Sequence, residues 1–246
     1  LSAPTPILIL AAAGTGKPTV VTQSLAGLIA SGEATPHEIL ALTFADKAAV
    51  EMAERLGALL EQKGFGEAGR EVTCRTFHSF GADLVREYGP LLGIDGDFRV
   101  LSTPESWQLL SSVLDGLDFQ TIEFPTGSLG RFLSGLLGFF SQAKDHLVGP
   151  EELAAFVDRE SGRLPGLSAV AAEYWGAQLA KLRDVASAYQ AYEDAKRQRG
   201  CLDYGDLLML PVQLLRSYPD VREGYRQRYR HLFVDEYQDT NFSQQI

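Results

Sequence analysis

Cysteine is almost absent: Cys74 and Cys201 are the only two in 246 residues. A disulfide-stapled scaffold is thereby excluded, because such scaffolds need several closely spaced pairs. Two reduced, buried thiols in a cytoplasmic protein are expected instead. No apolar run is long enough to span a bilayer, and no charged-then-apolar leader opens the chain, so no membrane partner is expected. Positive charge is also in deficit. Twenty-two Lys and Arg face 32 Asp and Glu, for a formal net charge of −10. That excludes holding nucleic acid by overall attraction; any such contact must come from a local surface. Internal repeats and low-complexity stretches are missing too. With 45% apolar residues, the chain can bury one large core or two modest ones. The first residue is Leu1 and the last Ile246, and both ends read as cut from something longer.

What is present falls into two patterns. The first ninety or so residues alternate strand and helix, the signature of a parallel sheet covered on both faces. Ile7–Leu10 reads as a buried strand entering a small-residue turn, Ala11 to Gly16, and then a helix ending near Gly32. Ile39–Phe44 is a second strand, followed by an amphipathic helix from Asp46 to Lys63 with Gly64 as its stop. Val72–Phe77 alternates more weakly and leads to a helix over Ser79–Tyr88. From about Gly89 to Gly200 nearly everything reads helical. Thr103-Pro104-Glu105 and Gly149-Pro150-Glu151-Glu152 are helix starts. Leu167–Arg199 predicts one long helix, about 45 Å if unbroken, with Leu167, Val170, Ala171, Tyr174, Leu182, Val185, Tyr189 and Tyr192 on its apolar face. A helix over Tyr204–Ser217 and a short strand, His231–Val234, complete the pattern. An α/β domain interrupted by a helical insertion is the simplest architecture.

Two segments carry chemistry. Ala11-Ala12-Ala13-Gly14-Thr15-Gly16-Lys17 lies between strand and helix, where small residues let backbone N–H groups converge on phosphate oxygens and a lysine reaches the terminal phosphates. The bland alternative is a tight turn that happens to contain these residues. The usual loop continues with a Ser or Thr whose hydroxyl binds Mg²⁺, whereas here Pro18 follows, with neither hydroxyl nor N–H. Its fixed φ suits the first helical turn, and Thr19 is rotated by about 100° from the position it would need to take over. The second segment is Leu232-Phe233-Val234-Asp235-Glu236, an apolar strand delivering adjacent carboxylates to a sheet edge. One carboxylate there can hold Mg²⁺ and its neighbour can activate water, although Asp-Glu pairs elsewhere are ordinary surface charge.

Extended by Tyr237-Gln238-Asp239-Thr240-Asn241, this second segment resembles motif II of the UvrD/Rep-type superfamily 1 DNA helicases. Ala11–Lys17 resembles motif I of that family, Leu42–Ala49 motif Ia and Thr76–Phe80 motif Ib, while Leu202–Leu208 resembles a further hallmark. The resemblance implies a P-loop NTPase (RecA-like) parallel sheet with an inserted all-helical subdomain. Residues 1–89 and 200–246 would form the RecA-like domain 1A, and 90–199 the 1B insertion. It implies ATP and Mg²⁺ as cofactors, with Ala13, Gly14, Thr15, Gly16, Lys17, Pro18 and Thr19 around the nucleotide. Asp235 would hold the metal, Glu236 activate water, Lys17 contact the β/γ-phosphates and Gln238 link the nucleotide and DNA sites. Phe44 would stack on a base of single-stranded DNA, and Thr43, Lys47, Thr76 and His78 would line the strand's path. Taken alone, Phe44 reads as core and His78 as a helix-start residue with a local hydrogen bond.

The departures bear on activity. Ala12 stands where the family has glycine, Ala45 lacks a hydroxyl, and Asp46 brings negative charge where a neutral amide meets DNA. The expected partners are single-stranded DNA, a second RecA-like domain of the same parent and a nuclease domain or subunit. Hydrolysis needs arginines of that second domain, so these 246 residues alone are expected to unwind little or nothing. The alternative is a degenerate helicase-like subunit of a helicase–nuclease complex, which binds DNA without hydrolysing ATP. A nucleotide kinase would leave Thr43–Ala49, Thr76–Phe80 and Tyr237–Asn241 unexplained.

Overall fold

The structure, a computed structural model, describes residues 17–66, 68–122 and 127–246, with positions 17, 18 and 70 described in backbone only. The expected strand Ile7–Leu10 and the turn Ala11–Gly16, including Ala12, Ala13, Gly14 and Thr15, lie outside the described residues. The chain begins with α1 (Lys17–Ser31), β1 (Ile39–Thr43), α2 (Asp46–Gln62), β2 (Thr73–Thr76) and α3 (Phe77–Tyr88). There follow β3 (Arg99–Val100), α4 (Thr103–Leu114), α5 (Leu129–Asp145), α6 (Pro150–Ser161) and α7 (Ala169–Gln198). Last come β4 (Cys201–Leu202), α8 (Asp206–Ser217), α9 (Pro219–Arg228), β5 (His231–Val234) and α10 (Phe242–Gln245). Two compact units emerge, one of residues up to Phe80 with Tyr218–Thr240, the other of Gly81–Ser217 with Asn241–Ile246. The second unit therefore groups 200–217 with the helices. Among the described residues no helix is long and apolar enough to cross a membrane.

The first unit is built on a parallel sheet in the order β2-β1-β5. β1 is central and all five of its residues are buried, as expected for a strand covered on both faces. Ile39 and Ala41 share a core with Leu25, Ala26 and Ile29 of α1 and Met52, Leu56 and Leu60 of α2. The buried positions of α2, Ala49, Met52, Leu56 and Leu60, recur at helical spacing, and Gly64 takes the left-handed φ of 82° that ends it. Leu40 pairs in register with Thr73, so both point to the opposite face. There the Thr73 hydroxyl meets Tyr229 at 3.4 Å, and Tyr229, Tyr225 and Phe80 pack ring against ring at about 6 Å. Cys74 is half-buried rather than fully enclosed, and desolvation pushes its thiol up to about 11. Cys201 is buried and, like Cys74, unbridged.

The second unit is a helical pack around Leu109, Leu110, Leu136, Phe140, Ala188, Tyr189 and Tyr192. Phe140 stacks on Tyr189 at 4.5 Å, the planes 9° apart. The helix starts read from the sequence are present: Ser102 and Glu105 close a capping box on α4, and Pro150 opens α6. The long helix is continuous for 30 residues as α7, capped by Ser168 and ended before Gly200 at φ 60°. Its expected apolar face is buried only in the second half. Leu167, Val170 and Tyr174 are exposed, because among the described residues the core reaches α7 only from Leu179 onward. β3 and β4 form a two-residue parallel pair that the sequence pattern did not announce.

Pro211 inside α8 cannot donate to the carbonyl of Leu207. Gly81 of α3 passes over that oxygen so closely that a Cβ would lie 1.9 Å from it. A hydrogen-bond gap in one helix and a missing side chain in another make the crossing possible.

Candidate functional site

Parallel strands deliver their C-terminal ends to one edge of a sheet, and in this fold class ligands bind there. In the first unit that edge is formed by Thr43, Thr76 and the residue after Val234. Thr43 pairs with Thr76, and the N–H of Asp235 donates to the Leu42 carbonyl at 2.9 Å, extending the ladder one residue beyond β5.

Where β1 ends, Phe44 is half-buried with its ring 5.4 Å from that of Phe77. Ala45 takes the extended N-cap conformation and α2 begins at Asp46. Thr76 caps α3 through a reciprocal pair: its Oγ1 accepts the Ser79 N–H at 3.1 Å, and Ser79 Oγ accepts the Thr76 N–H at 3.0 Å. The Thr76 hydroxyl also donates to Asp46 Oδ1 at 3.3 Å, so the Asp46 carboxylate ties α2 to the start of α3. Thr43 and Thr76 are buried, whereas Phe44 and His78, which follow them closely in sequence, are half-buried. Lys47 stands out from α2 with its side chain 89% exposed and a loose 3.8 Å ion pair to Glu51. The segments 42–49 and 76–80 thus lie side by side because their strands pair in register.

Beyond β5, Asp235 Oδ1 accepts the Glu236 N–H at 3.0 Å. Glu236 has φ 50° and ψ 44°, the left-handed region that disfavours a side chain. Its carbonyl accepts the Asp239 N–H at 2.8 Å, closing a tight turn, and Gln238 donates its side-chain N–H to the Glu236 carboxylate. Asp235 and Glu236 are both half-buried. Such hard, partly accessible oxygens suit a divalent cation and the orientation of a water molecule. Lys17 and Pro18 open α1, whose first turn carries no acid to cancel the positive helix end. Pro18, as the second helical residue, gives up only an N–H that has no partner within the helix. Thr19 is exposed. These donor types fit a magnesium–nucleotide, short of the hydroxyl that Pro18 does not supply.

Sequence reasoning missed a second polar cluster, inside the helical unit. Lys144 of α5 is buried with its Nζ 2.8 Å from Asp203, 2.6 Å from Asp206 and 2.8 Å from Glu193. Lys196 of α7 faces the same three carboxylates at 2.5–3.0 Å. Burial works against a charged Lys144, but Asp206, Asp203 and Glu193 override it and hold its pKa well above the ordinary value. Burial also raises Glu193, with the like charges of Asp206 and Asp203 adding to it, whereas in Asp203 burial is outweighed by the two ammoniums and the pKa falls. The three carboxylates stand within 4.8 Å of one another, close enough to chelate a cation, yet two ammoniums already occupy the space among them. The only sequence signal for this cluster was the spacing of Asp203 and Asp206 in the hallmark segment.

The whole chain, residues 1–246, matches the family described as UvrD/REP helicase N-terminal domain. It is 32% identical over 239 residues to the ATP-dependent DNA helicase PcrA of Leuconostoc citreum, covering 97% of this chain and 28% of that protein. It is 33% identical to the ATP-dependent DNA helicase UvrD1 of Mycobacterium tuberculosis (98% of this chain, 28% of the relative). It is 32% identical to the ATP-dependent DNA helicase Rep of Escherichia coli (97% and 31%). The chain thus spans about three-tenths of the length of these relatives. With a match over its full length and relatives above 30% identity, the chain belongs to the UvrD/REP helicase N-terminal domain family.

Proposed function

We propose that this chain is the nucleotide-binding and single-stranded-DNA-binding part of an ATP-dependent DNA helicase. Residues 1–89 and 200–246 would make up the RecA-like domain 1A, with 90–199 as the inserted 1B subdomain. The observation that supports this most is the meeting of Thr43, Phe44 and Thr76 with Asp235 and Glu236 at the C-terminal edge of one parallel sheet. A strand track and an acid pair on one edge are what a nucleotide-driven motor requires. The names of the relatives favour the catalytic reading over a degenerate subunit.

In this reading Lys17 and the preceding loop hold the phosphates at the start of α1. Asp235 holds Mg²⁺, which when bound screens charge on the transferred phosphoryl group. Glu236 orients and deprotonates the attacking water, with its carboxylate aimed by the amide of Gln238. Phe44 offers a π face to successive bases, so no sequence preference arises, and Lys47 and His78 flank the backbone. A second RecA-like domain completes the cleft with arginines, so the 246 residues bind nucleotide without sustained turnover.

Calorimetry with Mg²⁺-ADP tests the reading. The chain is expected to bind, Lys17→Ala to weaken binding about tenfold or more, and Pro18→Thr to strengthen its Mg²⁺-dependent part. If neither the chain nor its Pro18→Thr variant binds nucleotide, the reading is rejected.

A further inference from the structure

Phe44 and Phe77 are brought together by the sheet of the first unit. Strands β1 and β2 pair in parallel up to Thr43 and Thr76, so the next residue of each leaves the ladder at the same level. Those residues are Phe44 and Phe77, whose ring centroids stand 5.4 Å apart with the planes inclined by 48°. Such a separation is that of a favourable aromatic pair. Phe80, Tyr225 and Tyr229 gather elsewhere, by Thr73 where β2 begins. The Phe44–Phe77 pair instead stands where β1 and β2 end, on the edge at which ligands bind in this fold class.

The two rings are mounted differently. After Thr76 the chain enters α3 at once, with Phe77 as its first residue. Phe77 lies inside the reciprocal bonds of Thr76 and Ser79, at 3.0 and 3.1 Å, which fix the backbone on both sides of it. Phe44 is followed by Ala45, which is extended at φ −118° and ψ 136° and makes no side-chain cap bond, before α2 starts at Asp46. The ring of Phe44 thus leans on a neighbour that is rooted in a capped helix start. Both rings are half-buried, so the pair keeps aromatic surface free for a further partner.

A side chain that must give up rotamer freedom on binding weakens the complex, and one already held does not. We propose that Phe77 is a positioning residue for Phe44: its ring backs that of Phe44 and holds it in the rotamer that receives a base. The inference rests on the reading that Phe44 stacks on single-stranded DNA. Without the ring of Phe77, Phe44 samples other rotamers, and each stacking event must first order it. Affinity then falls, and falls only through Phe44.

The test has two arms, both on the 246-residue chain. Phe77→Leu keeps an apolar side chain and removes the ring. In the free chain with labelled phenylalanine, the ring signals of Phe44 are identified as those lost in Phe44→Leu. Phe77→Leu is expected to move their proton shifts toward those of free phenylalanine, and unchanged shifts overturn the mount. The second arm is titration with a single-stranded oligothymidylate at low salt. Phe44→Leu is expected to weaken binding about tenfold, and Phe77→Leu about threefold or more. The double variant is expected to bind within about twofold of Phe44→Leu alone, because a residue that acts through Phe44 has nothing left to position. Phe77→Tyr, which restores a ring, is expected to bind within about twofold of the starting chain. A double variant whose loss is the product of the two single losses means that Phe77 meets DNA itself or merely supports the fold, and it overturns the proposal. So does full affinity in Phe77→Leu when Phe44→Leu is weakened, which leaves the DNA reading intact. If the ring shifts move as expected but Phe44→Leu binds as well as the starting chain, the reading of Phe44 as a stacking platform fails while the mount stands.

Discussion

Two groups of carboxylates in this chain sit in opposite circumstances. Asp235 and Glu236 are half-buried and have backbone and amide hydrogen-bond donors as partners, and Glu236 sits in the left-handed region. Glu193, Asp203 and Asp206 are enclosed with two ammoniums, leaving a formal surplus of one negative charge. The first group is proposed to take a cation from outside, whereas the second has taken its cations from the chain itself. Carboxylate geometry alone would rank the enclosed trio as the better metal site. Countercharge reverses that order, and an acidic cluster is read correctly only with its lysines included.

Lys144→Met breaks the enclosed group and carries the largest expected effect. Removing one partner leaves buried acids uncompensated, a loss of about 3–5 kcal/mol in folding stability, measured by urea denaturation. An unchanged midpoint would mean that the acids find water instead. The pH dependence is the next largest. Because the pKa of Asp203 is depressed in the folded chain, its contribution is present above the unfolded value of 3.8 and is lost as pH falls through the folded one. Lys144 is raised, so its contribution persists below 10.5 and fades as pH climbs through the folded value above that. Between those limits both contributions are present in full, so these two groups should give the unfolding midpoint of the unsubstituted chain no pH dependence there, and its acid limb should shrink in Asp203→Asn. Asp235→Asn has the smallest expected effect on stability, within about 0.5 kcal/mol, but removes the Mg²⁺ dependence of nucleotide binding. A large loss of stability there would make Asp235 a structural acid and erase the contrast.

Much of the fold was legible because its signals are local. Ser102 and Glu105 announce α4 three residues apart, Gly64 ends α2, and the apolar run before Asp235 gives β5. The sheet-edge site was legible for the same reason, since each motif is a short string at a strand end. The remainder depends on distance along the chain. Lys144 meets Asp203 and Asp206 across 59 and 62 positions, and nothing near it in sequence marks it as different from any surface lysine. Helix α9 buries no residue, so it shows no apolar period to read. The β3–β4 pair is too short for alternation to appear. On α7 the apolar pattern runs past the region that finds a partner, leaving Val170 and Tyr174 in the open. Periodicity shows which face could be covered, not how far the cover extends.

The order of the sheet also sets a timetable. Strands β1 and β2 are near neighbours in sequence, but β5 joins β1 from far along the sequence: Arg230 bonds Glu38 across 192 positions. Contacts of such separation form slowly, and on a ribosome they cannot form until β5 has emerged. The phosphate-side helix and the strand track can therefore assemble before the acids arrive. A chain emerged as far as α3 would already present the surface proposed to receive DNA, while the chemistry proposed to power movement comes with β5.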